Sequence, residues 1–209
     1  MMDVVVFPLG PLQTNSYLAI SGDAAIAVDV GGDPGAMVSH LHSKQLSLTH
    51  IVLTHLHCDH IYGVRALSEA TGASVLANTD DDYLLDLDIG RGGFMGLPMV
   101  SLFAHDPLVP GEASFLGMPC KVLATPGHTP GSVSLYFPDD RVCFSGDLLF
   151  HRSIGRTDFP GGSHEVLLNS VMTQIFTLPE ETVVYSGHGP ETTVGSEKKN
   201  NPFFGEFAF

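Results

Sequence analysis

The sequence predicts an α/β domain, and three observations carry that expectation. Short apolar segments alternate with segments whose apolar residues recur at helical spacing. Gly and Pro punctuate them at close intervals. Four of the apolar segments end in a tight turn bearing His or Asp, which brings such residues to one rim of a sheet core. The 209 residues suit a single domain spanning 1–209. A chain of that length buries roughly 70% of its unfolded surface. With 44% hydrophobic and 15% charged residues it folds rather than staying disordered.

Residues 3–9, 15–21 and 24–30 read as opening strands, with Gly22-Asp23 as a hairpin turn between the second and third. Asp29 ends the third strand. It is read either as a group that orients a metal ligand or as a turn carboxylate. Residues 34–45 read as a helix from the spacing of Met37, Val38 and Leu41, with Asp33 as cap and Pro34 in first position. A strand at 49–54 follows. Residues 61–70 read as a helix with a buried stripe of Val64, Leu67 and Ala70, closed by Gly72. Residues 73–77 form the next strand.

In the weakly patterned 78–110 segment, 79–87 reads as a helix capped by its own acidic residues and 90–98 as a loop. Phe94, Met95 and Phe103 would wall a substrate pocket there, or the segment is a surface insertion. His40, His42 and His105 are not read as ligands. Strands resume at 113–115, 121–124, 132–137 and 142–145. A helix at 163–176 carries Val166, Leu167, Ser170, Val171 and Ile175, and the last strand is 182–185.

The chemistry sits on the turns. His55-Leu56-His57-Cys58-Asp59-His60 follows a strand and precedes a helix. In extended backbone His55 and His57 point the same way, while Asp59 and His60 come after the chain bends. Imidazole with carboxylate suits zinc, iron or manganese. Four ligands so close together are too many for one open catalytic ion and natural for two adjacent ions. His128 lies on a Pro/Gly bend, Asp147 just after a strand, and His188 between glycines.

The inferred ligand set divides by geometry and charge. One ion takes His55, His57 and His128; the other takes Asp59, His60 and His188; Asp147 bridges. Asp59 and Asp147 are also read as catalytic. Two ions roughly 3.5–4 Å apart lower the pKa of a bridging water and clamp attacking and leaving atoms. That is hydrolysis of a polarised carbonyl or phosphoryl group, with no Ser or Cys nucleophile required.

Composition narrows the partners. A net charge of −14 with nine Lys and Arg repels phosphate backbones, so no nucleic acid is expected. Cys58, Cys120 and Cys143 do not suggest a disulfide framework and are read as small buried hydrophobes. The N-terminus lacks a basic n-region and long apolar run, and no stretch reaches the roughly 18 residues of a membrane span. A cytoplasmic protein without membrane contact is expected.

The motifs His55-x-His57-x-Asp59-His60, Gly127-His128, Gly146-Asp147 and Gly187-His188 resemble the metallo-β-lactamase superfamily across nearly the whole chain. The resemblance implies an αββα sandwich, two mixed β-sheets flanked by helices, with the metals at one edge. The stretches 125–132, 146–150 and 187–193 further resemble glyoxalase II, hydroxyacylglutathione hydrolase. The ending 197–203 resembles its short, single-domain bacterial type.

That group hydrolyses S-D-lactoylglutathione through a hydroxide shared by two divalent metal ions, with Zn2+ expected here and Fe or Mn as alternatives. The C-terminal helical domain with which longer enzymes hold glutathione is not expected. Arg156 falls where those enzymes place a basic substrate contact and could meet a substrate carboxylate; the alternative is a surface pair with Asp158. Residues 155–159 also resemble glutathione persulfide dioxygenases, whose single iron would use His57, His128 and Asp147. The Gly187-His188-Gly189-Pro190 turn departs from that group and favours the two-metal hydrolase.

Overall fold

The computed structural model describes residues 2–205, which fall into two compact units. One runs to Leu108 and takes in Phe115–Gly117; the other holds Val109–Ser114 and continues from Met118.

The first unit is built on a six-stranded mixed sheet: β1 (Asp3–Leu9), β2 (Thr14–Ser21), β3 (Ala24–Val28), β4 (Ser47–Val52), β5 (Ser74–Ala77) and β6 (Asp106–Pro107), in that order. The first three are antiparallel neighbours; β3, β4, β5 and β6 run parallel. The predicted hairpin is present, with Ser21 paired to Ala24 around Gly22-Asp23.

Parallel strands need crossovers. Helix α1 (Gly35–Lys44) joins β3 to β4. It starts one residue later than expected. Pro34 occupies the cap position, and Asp33 Oδ1 accepts from the Gly35 N–H at 2.9 Å.

The single helix expected at 61–70 is two. A one-turn α2 (Cys58–Ile61) is followed by α3 (Val64–Thr71), which ends at left-handed Gly72 as the sequence indicates. The break has a tertiary cause. Gly63 donates its N–H to Val30 O at 2.8 Å instead of continuing the helical ladder.

Leu18, Met37, Ile51, Leu53, Leu56, Ile61 and Leu67 are in this unit's core. Each large aliphatic side chain fully buried there contributes about 2 kcal/mol.

The 78–110 segment is more ordered than its pattern suggested. Thr79–Asp86 is a 3-10 helix capped by Asn78, which accepts from Asp80 N, rather than by the acidic residues themselves. A short α4 (Asp88–Arg91) follows, and an isolated bridge pairs Gly92 with Met99. Phe103 packs on the core, while Met95 is 91% exposed.

A second mixed sheet consists of β7 (Gly111–Phe115), β8 (Met118–Ala124), β9 (Val133–Phe137), β10 (Val142–Gly146), β13 (Val183–Ser186) and β14 (Thr192–Thr193). Its order is β14-β13-β10-β9-β8-β7, with β10 and β13 parallel. A hairpin of β11 (Leu149–Phe150) and β12 (Ser153–Ile154) follows β10.

The helix expected at 163–176 appears as α5 (His164–Ser170), capped by Ser163, continued by a π-helical turn Val171–Ile175. Val166, one of the residues at helical spacing, is 40% exposed, whereas Leu167, Val171 and Ile175 pack with Leu148, Leu149 and Val184. A final helix, α6 (Val194–Asn200), was not expected; Thr193 caps it. Among the described residues no helix is long and apolar enough to cross a membrane.

Candidate metal centre

The seven expected ligands fall into two sets, one in each unit. In the first unit, β4 delivers the chain to Leu53, which is buried, as is Leu56 three residues on. His55 and His57 flank Leu56, so burying the leucine turns both imidazoles to the other side. Their ring centroids are 4.7 Å apart, and those of His55 and His60 are 4.1 Å apart. Donor atoms of His55 and His57, of His55 and His60, and of Asp59 and His60 lie within 4.8 Å of each other. The backbone of His57 is extended before α2 begins, and the first turn of that helix presents Asp59 and His60.

Three polar residues orient these donors. Asp29 is buried and adopts a left-handed backbone, φ 54°. Its Oδ1 accepts from Thr54 N at 2.8 Å, and its Oδ2 from Thr54 Oγ1 at 2.7 Å. Asp29 Oδ2 also lies 2.7 Å from His60 Nδ1, which can only donate to a carboxylate. Because the Thr54 hydroxyl donates to Asp29, its oxygen accepts from His55 Nδ1 at 3.1 Å. Both histidines thus carry their proton on Nδ1, and Nε2 is the atom offered to an ion. Thr14 Oγ1 donates to Asp59 Oδ2 at 2.9 Å.

In the second unit, His128 sits on the turn between β8 and β9. Gly127 N bonds Thr129 O at 3.0 Å, Ser170 Oγ bonds Pro126 O at 2.7 Å and Ser163 N bonds Gly127 O at 2.8 Å, so α5 and its lead-in brace this turn. His128 Nδ1 donates to Arg156 O at 2.7 Å, which again leaves Nε2 to serve as ligand atom. Asp147 leaves β10 just after its register with β13 shifts between Phe144 and Gly146. Its Oδ2 lies 3.7 Å from His128 Nε2 and 3.5 Å from His188 Nε2. Phe150 meets the His188 ring edge-on at 6.0 Å.

These donors fit a divalent metal. The corresponding distance in the first unit, His60 Nε2 to Asp59 Oδ2, is 3.7 Å. All three separations exceed the roughly 3.2 Å limit of a good hydrogen bond. They approach the edge of about 3.4 Å expected between tetrahedral ligands each near 2.1 Å from one ion.

Gly155 is where the second set is most tightly constrained. A Cβ there would collide with the Asp147 carbonyl oxygen and come within 3.4 Å of His128 Nδ1. Gly155→Ala is expected to cost about 1–3 kcal/mol of stability by overpacking. It should also reduce bound metal. Thermal unfolding together with metal analysis checks both.

Arg156 contributes its backbone carbonyl to His128, a role not visible in the sequence. Its guanidinium is paired bidentately with Asp158 at 2.7 and 2.8 Å and lies 3.7 Å over the Phe159 ring. Hydrogen bonding from Arg156 holds the Asp158 carboxyl down at about 2. Cys58, between two ligands, is buried, and its thiol is pushed up to about 11, chiefly by desolvation and then by the charge of Asp59. That suits a small hydrophobe. Thr14, Thr54 and Asp81, whose Oδ2 accepts from Leu56 N at 3.3 Å, support the motif without any spacing signal in the sequence.

This combination of fold and donor sets defines a class of metal-binding α/β protein. A model of the metallo-β-lactamase superfamily matches residues 9–188, and the chain belongs to that superfamily. It is 39% identical over 204 residues to the probable metallo-hydrolase YqgX of Bacillus subtilis, covering 96% of this chain and 97% of that one. It is 32% identical over 207 residues to hydroxyacylglutathione hydrolase GloC of Haemophilus influenzae, covering 97% and 98%. Among solved structures, it resembles the BLEG-1 B3 metallo-β-lactamase with TM-score 0.91 at 40% identity, covering 97% and 99%. The fold is accordingly the expected one, two mixed sheets with flanking helices.

Proposed function

We propose that both units together form one metal-binding domain that hydrolyses a small thioester such as S-D-lactoylglutathione. In this reading His55, His57 and His128 hold one divalent ion, and Asp59, His60 and His188 a second. Asp147 would bridge the two. Zinc is the first choice; iron and manganese accept the same donors. Such a pair supplies activated water at neutral pH and polarises the carbonyl under attack.

The observation that carries the reading is the hydrogen bonding of the histidines. His55, His60 and His128 each engage Nδ1 with a protein acceptor, so Nε2 is the ligand atom in every case. Histidines used only for packing need no common tautomer. The chain's residues hold and orient: Asp29 and Thr54 fix His60 and His55, and Thr14 fixes Asp59. Arg156 fixes His128 through its carbonyl.

The thioester class is supported by the GloC relative, whose likeness spans nearly all of both chains. Arg156 is proposed as the substrate contact. Its side chain is 54% exposed, and a substrate carboxylate would share or replace Asp158 in the bidentate pair. Dialysis against a strong chelator is expected to abolish S-D-lactoylglutathione hydrolysis, with recovery on adding about two equivalents of Zn2+. Undiminished hydrolysis by metal-free protein would overturn the proposal.

A further inference from the structure

Glu197 is fully buried, and no feature of the metal motif calls for it. Four donors converge on its two oxygens. Oε1 takes the Arg152 guanidinium and Thr192 Oγ1 at 2.6 Å; Oε2 takes Arg152 N and Asn201 Nδ2, each at 2.9 Å. Arg152 also donates to Ser196 O at 3.2 Å and Ser196 Oγ at 3.0 Å. Asn201 Nδ2 reaches Ser153 O at 3.0 Å.

A buried carboxylate is costly unless its oxygens are satisfied, and an apolar side chain of similar size would usually hold a helix as well. What the carboxylate adds is direction. Its donors come from the hairpin turn, β14 and the end of α6. Two of those segments adjoin metal ligands.

The hairpin begins two residues after Asp147. Arg152 lies at its turn with a left-handed backbone, φ 60°. Phe150 on the same hairpin packs edge-on against His188. Beyond the hairpin, Gly155 N bonds Leu148 O at 3.3 Å, and Arg156 O receives His128 Nδ1. Thr192 pairs with Val184 of β13, the strand that leads to His188.

We propose that Glu197 is a positioning residue for the metal centre. Through Arg152 and Thr192 it sets the hairpin and the 188–192 segment, and so the relative placement of Asp147, His188 and His128. The inference rests on the metal-binding reading above.

The test compares wild type, Glu197→Gln and Arg152→Gln. The glutamine at 197 puts an amide donor among four donors; the glutamine at 152 removes the guanidinium while leaving Glu197 in place. Zn2+ affinity is measured by competition with a chromophoric chelator. Unfolding temperature is measured with and without Zn2+, and kcat and KM on the thioester.

Glu197→Gln is expected to bind one of the two ions about tenfold or more weakly. Its rise in unfolding temperature on adding Zn2+ should shrink, and kcat should fall more than KM rises. A purely structural anchor would lower the metal-free unfolding temperature and leave Zn2+ affinity unchanged.

A folded Glu197→Gln that binds both ions as wild type does overturns the proposal. If that variant does not fold, Arg152→Gln decides: weakened binding supports the role, and wild-type affinity overturns it. Wild type that binds no metal pair would overturn both this inference and the metal reading, whereas unaltered variants beside a two-metal wild type would overturn this one alone.

Discussion

Asp147→Asn is expected to lower kcat/KM on the thioester by on the order of 10³-fold or more, about 4 kcal/mol of barrier. It should also leave the protein short of metal. The side chain is nearly buried, and one oxygen, Oδ2, lies 3.5–3.7 Å from both His128 Nε2 and His188 Nε2. An amide in the same volume would remove the negative charge that the proposed pair of dications calls for. It also replaces one of the two carboxylate oxygens with an NH2 group that cannot accept a metal ion. The backbone has no reason to move, since Asn is isosteric. Metal analysis and steady-state kinetics on the folded variant check this; full metal content at wild-type rate would exclude Asp147 as the bridge.

Asp29→Asn is expected to weaken metal binding by about 10–100-fold without any change in a ligand. Asn tolerates the left-handed backbone at this position. The effect therefore isolates the carboxylate. Thr54 N, Thr54 Oγ1 and His60 Nδ1 all donate to it. In one amide orientation the new NH2 meets the Thr54 N–H, leaving two donors facing each other. In the other it meets Thr54 Oγ1 and His60 Nδ1, and the imidazole must move its proton to Nε2, the atom the metal requires. Either arrangement costs about 1–3 kcal/mol. Chelator competition and thermal unfolding measure the two effects; wild-type metal affinity would show that His60 needs no such partner.

The candidate ligands were legible because their chemistry is local. Strand, turn and His or Asp lie within a few residues of each other at His55–His60, His128, Asp147 and His188. Strand and helix positions followed from apolar spacing because most of those side chains face one core or the other. What was not legible depends on distant partners. The division of α2 from α3 follows from a hydrogen bond between Gly63 and Val30.

Glu197 precedes two lysines, and nothing in its spacing marks it as buried. Only the fold shows four donors around it. The paired state of Arg156 was one of two readings open in the sequence, and its carbonyl's hold on His128 carries no side-chain signature at all. Asp29 could be suspected from its place at a strand end, but its hold on His60 spans 31 positions in sequence.

Metal content of the purified protein, measured alongside turnover of S-D-lactoylglutathione and oxygen uptake on glutathione persulfide, tests the central claim most directly. About two metal ions per chain, loss of the thioester and no oxygen consumption are expected. A single iron per chain with oxygen consumed and the thioester untouched would contradict it.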